Sequence, residues 1–168
     1  MQLNKAEQFQ KAIEASSDEA IIGLLAELRE TGEDYMLPTI LSLLFSARSE
    51  KLKNEVVNFL VDLKNKSSVD TIIETIKQNK RSKEIHLLVS VCWQSRLDFT
   101  PHVDTFIDIM EHANYQGCLE AFTVIENMTG NLSRDQLNEL KAKIKTVKAD
   151  NPETKPLIEE LGKLLDEL

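Results

Sequence analysis

Apolar residues recur at spacings of three and four along almost the whole chain, and this periodicity constrains the fold more than any other feature. In one segment the apolar positions are Leu52, Val56, Phe59, Leu60 and Leu63, which share one face of an α-helix. The sequence contains ten such segments of about 11–16 residues each, separated by very short connections. An all-α fold is therefore predicted.

Turn-forming residues are too scarce for a β-sheet protein. The chain holds 5 Gly and 4 Pro, whereas a β-sandwich or barrel needs a turn about every ten residues. Gly32 follows the second segment, where a left-handed residue would end a helix, and Pro38 lies in the first turn of the third. Residues predicted to cap or begin helices are Ser16-Ser17, Asp34, Ser49, Ser68, Ser82, Thr100, Ser133 and Asn151.

The segments pair into hairpins with a spacing near 34 residues. Residues 69–76 align with residues 103–110 at an offset of 34, and the same offset places Ile85 on Leu119. Five hairpins, at approximately 4–31, 35–64, 69–96, 101–129 and 133–167, account for a single domain spanning 1–168. A single hairpin cannot bury its own apolar face, so neighbouring hairpins are expected to stack into a short solenoid. The alternative is a helical bundle whose hairpins are alike only through general helix patterning.

The hairpins resemble HEAT and armadillo-type helical repeats across residues 35–133. The resemblance rests on a Pro near the start of a first helix (Pro38, Pro101), an Asp further along (Asp70, Asp104) and an apolar second helix after a tight turn. The second helices lack the regular Arg or Lys of strong HEAT repeats. The resemblance implies a right-handed α–α superhelix with a concave face lined by second helices. It also implies a role as a scaffold or adaptor.

Composition and charge exclude several function classes. The net charge of −8 disfavours a dedicated nucleic-acid binder, which needs a clustered cationic face. Cys92 and Cys118 lack metal-ligand spacing and are expected to be free, buried thiols, with a disulfide as the alternative. The N-terminal residues contain no apolar signal core, and no stretch approaches the ~18 apolar residues of a membrane span. A cytoplasmic protein without a membrane segment is therefore expected.

No motif in the sequence predicts catalysis. A Gly-rich phosphate loop, a GxSxG elbow, an HExxH pair and paired CxxC motifs are all absent from the sequence. His102 is expected at the surface, and His112 at the end of the seventh helix. Asp104 and Asp108 share a helix face, but carboxylates on the outside of an acidic protein are usually just solvated. We expect a protein that is not an enzyme and that needs no metal or cofactor.

The polar faces of the second helices are the best candidates for a binding surface. If the fourth, sixth and eighth helices line a concave face, their polar positions form a ladder. Its members are Asn54, Asn58 and Asp62, then His86, Ser90 and Trp93, then Glu120, Thr123 and Asn127. The only Trp, Trp93, could anchor a partner through its large ring and its single donor. The alternative is that Trp93 packs between repeats or covers the Arg96-Leu97 turn.

Charge is distributed unevenly along the chain. Residues 51–83 hold eight Lys or Arg and four acids, whereas residues 97–133 hold six acids and no Lys or Arg. Such polarity can steer a partner of complementary charge or favour head-to-tail pairing of copies.

The leading interpretation is a non-catalytic protein–protein interaction module or adaptor that binds another protein, as a monomer or a homodimer. One alternative is a nucleic-acid-associated HEAT-like protein with a basic patch in residues 51–83. That patch would comprise Lys51, Lys53, Lys64, Lys66, Lys80, Arg81 and Lys83. A second alternative is a HEAT-like lyase subunit of the phycobilin-lyase kind, for which the sequence offers no recognisable nucleophile or base.

Overall fold

A computed structural model describes residues 3–168, which form ten α-helices and no strand. The helices are α1 (Lys5–Glu14), α2 (Asp18–Thr31), α3 (Leu37–Ser42), α4 (Glu50–Val61), α5 (Ser68–Gln78), α6 (Ile85–Gln94), α7 (Val103–His112), α8 (Tyr115–Met128), α9 (Arg134–Thr146) and α10 (Lys155–Asp166). The prediction of an all-α chain is confirmed for this part of the molecule. Within residues 3–168 no helix has both the length and the apolar character that crossing a membrane requires.

Several predicted helix starts are fixed by side-chain caps. The hydroxyls of Ser17, Ser49 and Ser133 each accept a hydrogen bond from the backbone N–H three residues later, and Ser133 forms the predicted capping box with Gln136. Asp34 was predicted to cap the third helix, which is wrong. Its carboxylate instead accepts hydrogen bonds from the neighbouring connection, at 2.9 Å from Asn65 Nδ2 and 3.1 Å from Ser67 Oγ.

The predicted left-handed conformation of Gly32 is also wrong. Gly32 ends α2 in an extended conformation, with φ −64° and ψ 141°. A Cβ atom at this position would lie 2.7 Å from the Leu28 carbonyl oxygen. Close approach to the last turn of α2, and not a positive φ, therefore accounts for the glycine.

The third helix is much shorter than predicted. Its α-helical part has six residues, and Leu43–Phe45 continue it as a 3₁₀ turn. The hydroxyls of Ser42 and Ser46 donate to the carbonyl oxygens three residues earlier, Thr39 and Leu43, both at 2.6 Å. Such side-chain bonds compete with the regular helix pattern.

Alternate helices contact one another in two rows. In one row α2 packs on α4, α4 on α6, α6 on α8 and α8 on α10; in the other, α1 contacts α3, α3 contacts α5 and α5 contacts α7. A single apolar core extends from Ile13 in α1 to Leu165 in α10. Each helix thus buries one face within this core and leaves another face for solvent or for a partner.

The repeat offset of 34 matches the buried positions of α5 and α7 but not those of α6 and α8. Buried Ile72 and Ile76 correspond to buried Phe106 and Met110 at that offset. Ile85, however, is buried, whereas Leu119 is 40% exposed, so their predicted equivalence is wrong.

An offset of 33 restores the match between α6 and α8. Buried Ile85, Leu88, Val91 and Cys92 then correspond to buried Cys118, Ala121, Val124 and Ile125. Buried Ile76 and Ile85 are nine positions apart, whereas their counterparts Met110 and Cys118 are eight positions apart. A slip of one residue turns a side chain by about 100° around a helix. Leu119 therefore corresponds to His86 on the outer face and not to Ile85 in the core.

Candidate functional site

The nine residues predicted to form a binding ladder all reach the surface. Asn54, Asn58, Asp62, Trp93 and Asn127 are exposed, and His86, Ser90, Glu120 and Thr123 are half-buried. Their helices are neighbours, because α6 packs against both α4 and α8. The ladder residues therefore occupy the solvent-accessible faces of three adjacent helices.

Trp93 and Glu120 are the ladder residues that contact each other across helices. The Trp93 side chain is 41% exposed, and its Nε1 donates a hydrogen bond to Glu120 Oε2 at 2.6 Å. A hydrogen bond to a charged acceptor is stronger than one between neutral groups. The bond therefore favours one orientation of the only indole of the chain at the surface.

A hollow of about 250 Å³ adjoins Trp93 between the C-terminal ends of α6 and α8. Arg96, Leu97 and Asn127 also line it, so the indole stands beside the Arg96-Leu97 turn while remaining exposed. The hydroxyl oxygen of Ser95, another lining residue, is buried without a hydrogen-bond partner among residues 3–168.

Other ladder side chains are already engaged within the chain. Asp62 pairs with Arg29 of α2 at 2.8 Å. Ser90 and Thr123 donate to carbonyl oxygens of their own helices, Leu87 at 2.8 Å and Leu119 at 3.1 Å. These interactions leave fewer of the ladder's polar groups available to a partner.

Two exposed apolar residues of α8 were missed by the sequence reasoning. Tyr115 is 45% exposed and Leu119 is 40% exposed. They lie one turn apart on the same face of α8, and Leu119 precedes Glu120 in the chain. Aligning α6 with α8 at an offset of 33 would have revealed the exposure of Leu119, because Leu119 then takes the position that outward-facing His86 has in α6.

A larger groove of about 800 Å³ lies along the C-terminal ends of α2 and α4. Its lining includes buried Leu28, Ile40 and Phe59, and the Arg29–Asp62 ion pair lies at its edge. Its lining contains both acidic and basic side chains: Arg29, Glu30, Glu33, Asp34, Asp62, Lys64 and Arg96. This mixture of charges favours no single class of ligand.

The basic stretch 51–83 does not form one continuous patch. Lys64 and Lys66 precede α5, whereas Lys80, Arg81 and Lys83 follow it, so a helix of 11 residues, about 16 Å long, separates the two groups. Three of the bases also have acidic partners within the chain: Lys53 with Glu84, Lys80 with Asp108 and Arg81 with Asp150. The Lys53 side chain is in addition nearly completely buried.

His112 lies at the centre of a charge cluster that joins three connections of the fold. Its Nε2 is 3.1 Å from Asp108 Oδ1 and its Nδ1 is 2.8 Å from Asp150 Oδ2. Arg81 also contacts Asp150, at 2.9 Å. The hydrogen bonds from His112 and Arg81 lower the pKa of the Asp150 carboxyl. The cluster therefore connects the end of α7 to the loops that precede α6 and α10.

Asp108, Glu111 and His112 are also close enough together to ligate a metal ion, with potential ligand atoms within 4.8 Å of one another. Asp108, however, already contacts both Lys80 and His112, and both ring nitrogens of His112 face carboxylates. A metal would have to displace these ion pairs, so the arrangement is better explained as structural.

Both cysteines are free and buried, as predicted. Burial raises the pKa of the Cys92 thiol well above its usual value and that of the Cys118 thiol to about 12. Because the thiolate is the reactive form, neither side chain is activated as a nucleophile.

Comparisons with family models, with curated proteins and with solved structures find no match to this chain.

Proposed function

We propose that this protein is a non-catalytic protein–protein interaction module, an adaptor that binds another protein through the solvent-exposed faces of α6 and α8. The observation that carries the proposal is the exposed Trp93 ring held by Glu120 at 2.6 Å. Tryptophan is enriched among the residues that dominate binding energy at protein interfaces. A side chain already fixed in one orientation also loses less conformational entropy when a partner binds.

The proposal includes the arrangement of the helices as a short right-handed superhelix resembling HEAT and armadillo repeats, with the even-numbered helices on its concave face. The two rows of helix contacts support it, because repeats of this kind contact mainly their neighbours. The short α3 and the offset of 33 between α6 and α8 are departures from a regular repeat. Small-angle scattering tests the shape, since a compact chain of this length has a radius of gyration of about 15 Å. A clearly larger value is expected, and a value near 15 Å would refute the superhelix.

Affinity capture from the native lysate tests the binding function. We would compare wild type with Trp93→Ala and with the control variant Gln78→Ala. Gln78 is an exposed residue of α5 that also donates to a carboxylate, Glu74, at 3.2 Å. A stoichiometric partner is expected with wild type and Gln78→Ala, and it should be lost with Trp93→Ala.

The other outcomes of this experiment are equally informative. A partner that stays bound to all three proteins would move the binding site away from Trp93. If no stoichiometric partner is captured by any of them, the interaction module is refuted.

A further inference from the structure

One aspartate anchors the connection between α9 and α10 to the end of α7. The Asp150 carboxylate accepts hydrogen bonds from His112 Nδ1 at 2.8 Å and from Arg81 Nη1 at 2.9 Å. The Asp150 N–H donates to the Glu111 carbonyl oxygen at 2.9 Å. Three hydrogen bonds to two other segments of the chain therefore hold this residue in place.

The helix before this connection, α9, is held less extensively than α8. It packs mainly on α10 and buries three residues, Leu137, Leu140 and Ile144, whereas α8 buries six. Its ion pair with α7, from Lys143 to Asp104 at 2.8 Å, lies at the surface, where such pairs contribute little stability. A change at the Asp150 anchor therefore alters how firmly the end of α9 is held against α7.

The Nδ1 atom of His112 faces two partners that require opposite protonation states. Asp150 Oδ2, at 2.8 Å, can only accept a hydrogen bond, and Arg81 Nη2, at 3.3 Å, can only donate one. The other ring nitrogen, Nε2, is 3.1 Å from Asp108 Oδ1. An imidazolium carries an N–H on both nitrogens and can donate to both carboxylates, whereas a neutral imidazole carries one N–H.

One neutral tautomer gives both ring nitrogens of His112 a suitable partner. With its proton on Nε2, the ring donates to Asp108 while Nδ1 accepts from Arg81. With the proton on Nδ1, the lone pair of Nε2 would instead face the Asp108 carboxylate. Loss of the second proton therefore removes the hydrogen bond from His112 to Asp150.

The charged side chains around His112 come from three segments of the chain. They are Asp108 and Glu111 of α7, Lys80 and Arg81 of the α5–α6 connection, and Asp150. The first turn of α8, which follows closely, contains no Lys, Arg, His, Asp or Glu. The hydrogen bonds from His112 and Arg81 lower the pKa of the Asp150 carboxyl, so this group stays ionised at neutral pH. Histidine is the side chain whose charge ordinarily changes between about pH 5 and pH 8.

We infer that His112 is a pH-sensitive switch, which anchors the α9–α10 connection to α7 when its imidazole is protonated and releases the Asp150 carboxylate when it is neutral. In the neutral form, Arg81 and the Glu111 carbonyl oxygen remain as the partners of Asp150. The end of α9 is therefore held more firmly near about pH 5 than near about pH 8. The inference is independent of the proposed interaction function.

Nuclear magnetic resonance of the full chain labelled with ¹⁵N tests both parts of the switch. The ¹⁵N shifts of the His112 ring report which nitrogen carries a proton. We expect N–H on both nitrogens near about pH 5 and on Nε2 alone near about pH 8. Over the same range, the protection of the Asp150 N–H against hydrogen exchange, relative to an unstructured peptide at the same pH, should fall about two- to tenfold.

His112→Gln and His102→Gln form a matched pair of variants. The glutamine at position 112 cannot take up a second proton, so the protection of the Asp150 N–H should be low and equal at both pH values. His102 also lies beside a carboxylate, with its Nε2 3.6 Å from Asp70 Oδ1, but it is not part of the anchor. His102→Gln should therefore keep the pH dependence of the wild type.

Three results would overturn the inference. The first is a neutral His112 ring with its proton on Nδ1, because this tautomer keeps the bond to Asp150 without a second proton. The second is protection of the Asp150 N–H that does not change with pH in the wild type. The third is a pH dependence that persists in His112→Gln, which would assign it to another group. The ring measurement uses the wild type alone and decides the question even if His112→Gln fails to fold.

Discussion

Gly117→Ala is the sharpest test of how closely α6 and α8 pack. A Cβ atom at Gly117 would lie 2.8 Å from both the Ala113 Cβ and the Ile85 Cγ2. Neither atom can rotate away: the first is fixed to the backbone, and the second belongs to a fully buried β-branched side chain. One of the helices would have to move.

Two opposing effects set the size of the change. Replacing glycine by alanine in a helix gains at most about 1 kcal/mol from propensity. Overpacking a filled core costs about 1–3 kcal/mol, and the new Cβ would also lie 3.3 Å from the Asn114 Oδ1 that caps α8. We expect a net loss of about 1–2 kcal/mol in the free energy of unfolding.

Gly23→Ala provides the matched control. Gly23 lies within α2, and a Cβ there meets no atom within 4 Å, so this variant should gain about 0.5–1 kcal/mol. Urea denaturation followed by circular dichroism at 222 nm measures both variants. The two free energies of unfolding should differ by about 1.5–3 kcal/mol, which corresponds to about 3–12 °C in the midpoint of thermal unfolding for a chain of this size. If Gly117→Ala is as stable as Gly23→Ala, α6 and α8 are further apart than described, and the Trp93–Glu120 contact would lose its structural basis.

Three further predictions concern buried or hydrogen-bonded groups. Glu84→Gln removes the carboxylate that lies 3.6 Å from the buried Lys53 ammonium, and this change should lower the free energy of unfolding by about 1–3 kcal/mol. Lys53→Met should be nearly neutral. Equal losses for the two variants in urea denaturation would contradict this account. Folding lowers the pKa of the Asp18 carboxyl, mainly through hydrogen bonds from Ser49 and then through Arg48. The ionised carboxylate therefore contributes fully to the free energy of unfolding above the unfolded pKa near 3.8. This contribution is lost as the pH falls towards the lower pKa of the folded state. Asp18→Asn should therefore lose less stability than wild type between about pH 4 and pH 2, and parallel pH profiles would refute the role of these bonds. Cys92 and Cys118 should react with a thiol reagent at pH 8 only after unfolding in urea, because burial raises both pKa values; rapid labelling of the native protein would show that the core opens.

The sequence alone determined the class of the fold and much of its local structure. Periodic apolar residues define helices through contacts within three or four positions, and caps act over the same short range. The Ser133–Gln136 capping box and the limits of α8 were therefore predictable. The faces of α4, α6 and α8 that reach solvent followed from the same periodicity.

Tertiary structure decided the features that depend on contacts between distant residues. Asp34 is committed to Asn65 and Ser67, since the connections before α3 and α5 come together in the fold. The ion-pair partners of Lys53, Arg81 and His112 likewise come from other helices and loops. Within the basic stretch 51–83, some side chains therefore form ion pairs inside the fold and others do not.

In the candidate site too, some features follow from the local sequence and others depend on contacts between helices. Periodicity placed Trp93 on a polar face, but it could not decide between exposure and burial. The decision depends on α8, whose buried positions match those of α6 at an offset of 33 and not 34. At this offset Leu119 faces outwards, because one residue turns a side chain by about 100° around a helix. The adjacent Glu120 accepts the hydrogen bond from the indole.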